Sequence, residues 1–237
     1  FDFKQMIKIL TSILLFYWVL LWSGSGESPY ELESNLVRTF DIFIIGENHL
    51  YRGFGIPFDP EGILSTIPSI GTIIIGYLMG GMLHTTKNYN DCIKRMFAFG
   101  TALIIVGYLW GFLFPINKAL WTSSYVLFTG GIGAIFLSLL TYLIDIKHFK
   151  KPFWVFEIFG TNSIFIFILS GLWVKTIMNI KRELNGEMTS AYNYLYKTVF
   201  VPLAGDINGS LLFAIAHVIG FWLILYWMYK KNIQIKL

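Results

Sequence analysis

Four groups of polar residues stand out in an otherwise apolar chain. The first is Phe58-Asp59-Pro60-Glu61-Gly62-Ile63-Leu64. Asp is a favoured N-cap, Pro suits the first helical position and Glu suits the first turn. The run is a well-formed helix start, and it leaves two readings open. Asp59 and Glu61 either only cap the helix, or they also face a polar pocket. The second group is Pro115-Ile116-Asn117-Lys118, followed by Leu120-Trp121 and Ser123-Ser124-Tyr125. So short a connection holds Lys118 near a helix end. Its ammonium either snorkels beside an anchoring Trp121 or waits near the pocket for an anionic group. The third is Gly160-Thr161-Asn162-Ser163, several residues into an apolar stretch. An Asn amide facing lipid is costly. Asn162 is therefore expected to point into a helix bundle, where it either joins helices or binds a ligand.

The fourth group holds His49, in Glu47-Asn48-His49-Leu50-Tyr51, just before the Asp-Pro-Glu run. Of the four histidines it is the one placed to meet the other groups. By itself it is no catalytic signature. His84 and His148 fall at helix ends and His217 inside the last apolar stretch. No metal-ligand spacing, Ser-His-Asp set or Gly-rich phosphate loop is present in the sequence, so no metal is expected.

The elements that must position these groups are spanning helices. Only 14% of the 237 residues are charged and 55% are hydrophobic, with mean hydropathy +0.62. A soluble domain carries roughly 25% charged residues. Disorder is excluded by the apolar content, and a disulfide scaffold by the single cysteine, Cys92. The net charge of +4 gives no sign of nucleic-acid binding. Six stretches are each long enough to cross a hydrocarbon core of about 30 Å. They run over Met6–Trp22, Gly62–Leu83, Arg95–Phe114, Leu120–Ile144, Phe153–Val174 and Gly209–Tyr229. The fold expected is all-α: one polytopic transmembrane bundle over residues 1–237. With the N-terminus cytoplasmic, the inner side carries 11 Lys and Arg, Lys87 and Lys236 among them, and the longer outer loops carry 7. That density contrast fits the positive-inside rule and puts both termini in the cytoplasm. The loops Ser23–Glu61, Pro115–Ala119 and Lys175–Asn208 then face outward. Within the first, Asn35–Ile45 reads as an interfacial amphipathic helix, with Leu36, Phe40, Phe43 and Ile44 opposite Arg38 and Asp41. The elaborated side is the expected working surface.

Inside the second span, Ser65, Ser69, Thr72, Gly76 and Gly80 recur at spacings of 4, 3, 4 and 4. This seam favours close helix packing over a substrate path, and it permits a homodimer. Gly107 and Gly111 repeat the spacing in the next span. Pro68, inside the same helix, is expected to remove the hydrogen bond to the Leu64 carbonyl and to kink it. These readings stop at a polytopic membrane protein with an outward polar site. Transporter, enzyme and assembly subunit all remain open.

The motifs go further when taken in order. Asp41 through Gly46 with His49-Leu50-Tyr51 comes first, then Asp59-Pro60-Glu61-Gly62-Ile63-Leu64. Pro115-Ile116-Asn117-Lys118 follows, with Leu120-Trp121 and Ser124-Tyr125-Val126. Asp145-Ile146-Lys147, Gly160 with Asn162-Ser163-Ile164, and Tyr229-Lys230-Lys231 with Ile235-Lys236 complete the series. In this order they resemble the C-terminal half of the heparan-α-glucosaminide N-acetyltransferase family and its bacterial relatives. The resemblance implies a transmembrane acyltransferase that takes an acetyl group from cytosolic acetyl-CoA to an amino sugar or glycan on the far side. It also implies an integral protein of the bacterial inner membrane, among membrane lipid. The site residues it points to are Asp59, Glu61, Asn117, Lys118, Trp121, Ser124, Asn162 and Ser163. Lys147 at the inner face is placed either for a CoA phosphate or for a helix end. The family's catalytic histidine lies upstream of the matched region. The chain, which also lacks an initial Met, is therefore expected to be the C-terminal part of a protein of about eleven spans. It departs from the family at Ile42, where an Arg often follows the Asp. His217 and Glu157 are likewise off the family pattern. The competing functional reading is a transporter for an N-acetylglucosamine-like sugar, against which the lack of a visible internal repeat counts mildly.

Overall fold

The computed structural model describes every residue except Phe1, Glu27, Lys87, Lys236 and Leu237. Two residues counted above for sidedness, Lys87 and Lys236, thus lie outside the described part. The chain divides into two compact units, Phe1–His148 and Phe149–Leu237.

The first unit begins with α1, Phe3–Gly24. The Asp2 side chain accepts from the Gln5 amide at 2.7 Å, and the Gln5 side chain accepts from the Asp2 amide at 2.9 Å. This reciprocal capping box satisfies two donors at the helix start. A loop leads to α2, Leu36–Ile45, capped by Asn35, whose side chain accepts from the Arg38 amide. Gly46, at φ 86°, ends the helix in a backbone region open to glycine. Then come α3, Thr66–Thr85, α4, Tyr89–Trp110, and α5, Ser123–Thr141, which ends in a π-turn over Tyr142–Ile146. The four long helices meet in a central cluster that includes Leu10, Leu14, Ile75, Leu78, Leu103 and Val126. A second cluster, Tyr17, Leu21, Val37, Phe58, Phe114 and Leu120, packs the α2 end of the unit.

Glycine sets the closest helix contact. A Cβ at Gly100 would lie 2.8 Å from the Gly131 carbonyl oxygen, and one at Gly131 would lie 2.6 Å from the Gly100 oxygen. Gly107 is as tightly placed against the backbone of α5 at Ser124 and Phe128. Only glycine lets α4 and α5 approach this closely. The Ser65–Gly80 seam does not act in this way. Gly76 and Gly80 have no neighbour where a side chain would begin, whereas Gly71 sits against Leu10, Leu14 and Val126. Nor does Pro68 kink α3. The helix begins at Thr66, so Pro68 falls in the first turn, where an N–H has no intrahelical acceptor in any case. The Leu64 carbonyl accepts instead from the Ile67 amide at 3.1 Å.

The second unit holds α6, Trp154–Thr161, and α7, Ser163–Asn179, which meet at a 71° bend. Two short strands follow, β1, Lys181–Leu184, and β2, Glu187–Ser190, paired antiparallel with Lys181 opposite Ser190. Their turn is Asn185-Gly186, at φ 54° and 86°. That is the residue pair favoured where both central positions need positive φ. The unit closes with α8, Ala191–Leu195, a π-turn, and α9, Val201–Lys230, bent at Gly205 with φ 76°. Among the described residues, five helical runs are long and apolar enough to span a membrane, or six with the α6–α7 pair counted as one span. The all-α transmembrane architecture read from the sequence is the one observed, with the small hairpin added.

Candidate functional site

The first polar group does not start the helix it precedes. Asp59 accepts from the Glu61 amide at 2.9 Å, and the Gly62 amide donates to the Asp59 carbonyl at 3.2 Å. The Asp-Pro-Glu run is therefore a turn that ends short of α3, with Glu61 exposed at its edge.

This turn is anchored from α2. Asp41 is fully buried, and its Oδ1 accepts from the Ile63 amide at 3.0 Å. Its Oδ2 lies against Gly62, where any Cβ would overlap it. Burial pushes the Asp41 carboxyl above the usual carboxylate range. The Ile63 N–H partly offsets this, and the nearby Asp59 charge adds to the rise. Arg38, one turn earlier, faces the loops: its Nε donates to the Pro57 carbonyl at 2.9 Å and its Nη1 to that of Glu33 at 3.2 Å. The sequence placed Asp41 on the polar outer side of an interfacial helix. The structure reverses that face, with Asp41 inside and Phe43 82% exposed.

A cavity of about 180 Å³ opens beside the turn, lined by Pro60, Glu61, Gly62, Ser65, Thr66, Ser69 and Trp121. Trp121 comes from the Pro115–Trp121 connection and adopts φ 50°. Its indole N–H donates to Thr72 Oγ1 at 3.3 Å, and its ring packs edge-on against Tyr125. The structure thus brings together Glu61 and Trp121, two of the residues singled out in the sequence. It adds Ser65 and Ser69 from the N-terminal half of the small-residue seam to the lining, with Thr72 of the same seam holding the Trp121 indole.

The other candidates sit elsewhere. Asn117 folds its own connection, its side chain accepting from the Ala119 amide at 2.8 Å. Ser124 is fully buried and donates to the Phe114 carbonyl at 2.5 Å. Lys118 is exposed and is not among the cavity's lining residues. His49 is exposed, with its Nδ1 3.0 Å from the Ile45 carbonyl. Lys147 ends the helical run that begins at Ser123, with its ammonium 5.5 Å from the centre of the Tyr142 ring. Asn162 belongs to the second unit, where it is 1% exposed at the α6–α7 break. Its amide donates to the Ile233 carbonyl at 3.0 Å and accepts from the Ile235 amide at 2.8 Å. It ties the segment after α9 to the break, while Ser163 beside it is exposed. No cluster of metal-ligating side chains occurs among the described residues.

No family profile matches the chain. Two curated proteins do. The heparan-alpha-glucosaminide N-acetyltransferase of Mus musculus is 33% identical over 147 residues, covering 54% of this chain. The Homo sapiens protein of the same name is 30% identical over 146 residues and the same share of the chain. The chain spans about a fifth of the length of these relatives, 22% and 21%. Over about half its length the chain is thus similar to two proteins named heparan-alpha-glucosaminide N-acetyltransferase, and it carries helices of membrane-spanning length.

Proposed function

We propose that the protein is, or forms part of, a transmembrane acyltransferase. In this reading it carries an acetyl or other acyl group from cytosolic acetyl-CoA to an amino sugar or glycan on the outer face of a bacterial inner membrane. The observation that carries the reading is the small cavity of Glu61, Ser65, Ser69 and Trp121, together with the similarity to named N-acetyltransferases. A carboxylate and hydroxyls beside an indole suit a sugar amine, which presents cationic, hydroxyl and apolar faces together. Acyl transfer to an amine requires the amine to lose its proton and the thioester carbonyl to be polarised. The Lys and Arg distribution supports an outward placement of the cavity.

The test is a sided assay on the full-length protein in sealed vesicles. Radiolabelled acetyl-CoA is enclosed and glucosamine is supplied outside. Label recovered on external glucosamine supports the reading. Accumulation of unmodified sugar without CoA would instead identify a transporter.

A further inference from the structure

A second cavity of the first unit, of about 650 Å³, lies between the ends of α1, α3 and α4, apart from the Trp121 site. That size is within the range of about 300–1,000 Å³ usual for ligand sites. Arg95, in the second turn of α4, and Thr86, which caps α3, line it beside the α3–α4 connection. Leu78 lines it about two turns deeper along α3, and Phe99 about one turn deeper along α4. Phe3 and Met6 of α1 complete the apolar part, with the Phe3 and Phe99 rings edge to face at 5.9 Å. Among the described residues that line the cavity, only Arg95 is charged. Gly81 keeps its wall open, since a Cβ there would meet nothing within 4 Å.

We propose that this cavity binds one anionic phospholipid of the surrounding bilayer, with its phosphate on Arg95 and an acyl chain along Leu78, Phe99 and Met6. A guanidinium offers a planar fork of donors that matches a phosphate. Apolar walls suit an acyl chain and reject the polar body of a nucleotide. One cation beside chiefly apolar walls therefore fits an amphiphile with a negative head. An Arg95 that only anchored the helix at the interface would lay its stem on lipid and need no cavity beside it. On the sidedness read from Lys and Arg, this end of the unit meets the inner leaflet, where anionic headgroups attract basic side chains. Lys94, next to Arg95, adds to the positive charge, and Asp91, one turn earlier on α4, is the nearest acidic residue along the chain. The proposal is independent of the acyl-transfer reading.

The test uses the delipidated full-length protein in detergent, titrated with phosphatidylglycerol or phosphatidylcholine and read by native mass spectrometry. Phosphatidylglycerol should bind about tenfold more tightly, as expected of one charge-assisted contact. Arg95→Gln should abolish that preference, and Arg95→Lys should keep part of it. Arg95 is exposed, so neither change disturbs the core. Gly81→Leu should fill the cavity and weaken phosphatidylglycerol binding by a similar factor. It should leave the melting temperature of the lipid-free protein unchanged, because the new side chain enters open space. Inorganic phosphate and CoA should not displace the lipid. Equal binding of the two lipids, an unchanged preference in Arg95→Gln, or unchanged binding in Gly81→Leu would overturn the proposal. Displacement by phosphate or CoA would assign the cavity to a soluble anion and overturn it as well.

Discussion

At the scale of single residues Asp41 anchors the turn beside the cavity, and its energetics have a definite sign. Its folded-state pKa is raised, so the folded protein holds this proton more tightly than the unfolded chain does. The favourable contribution is complete below the ordinary carboxylate pKa and is lost as pH rises toward the raised value. Thermal unfolding in detergent should therefore show a stability decline across that window, and Asp41→Asn should flatten it. A second expectation concerns Gly62. Any side chain there overlaps Asp41 Oδ2, so Gly62→Ala should cost about 1–3 kcal/mol by overpacking, measured by the same melts. Asp41 was misread in the sequence for a physical reason. In a soluble protein the apolar face of a helix turns inward. At a membrane edge an apolar side chain such as Phe43 can face outward instead, and the polar side chain is the one enclosed.

At the scale of elements, the polar motifs act chiefly as joints. The Asp-Pro-Glu run was legible as a helix start from its residue types, yet the helix begins at Thr66 because Asp59 caps a turn and not α3. The glycine spacing was legible as close packing. Which glycines pack depends on the partner helix, which spacing within one helix does not specify. The close contact falls on Gly100, Gly107 and Gly131. Gly131→Val should drive α4 and α5 apart and lower the melting temperature sharply, whereas Gly76→Val, in open space, should leave it nearly unchanged. Asn162 was legible as an inward amide, and its partners are backbone groups of the segment after α9. Asn162→Ala should cost about 1–3 kcal/mol, since it leaves buried backbone groups unmet. Hydrogen exchange should show the Ile235 amide deprotected while α4 keeps its protection.

For the whole molecule, the six apolar stretches and their all-helical character were readable from composition and length, because lipid admits few other solutions for the backbone. The Asn185-Gly186 hairpin carried its own turn signal but lay inside a stretch read as a loop. The cavity was only half visible. Glu61 and Trp121 come from connections far apart in sequence, and nothing in either connection specifies the hydroxyls of α3 that complete the lining. Sidedness can be tested with the chain's one cysteine. Cys92 is 1% exposed and should stay silent to an impermeant thiol reagent in intact cells. Glu47→Cys should label from outside, and Lys150→Cys only after permeabilisation. The reverse pattern would invert the topology.

The central claim is that the Trp121 cavity receives the acyl acceptor. Its most direct test is the sided acetyl-transfer assay with Trp121→Ala, varying acceptor and donor separately. The acceptor KM should rise about tenfold or more, as for loss of one aromatic contact worth about 1–2 kcal/mol, with the acetyl-CoA KM unchanged. An unchanged acceptor KM in an active, folded Trp121→Ala protein would contradict it.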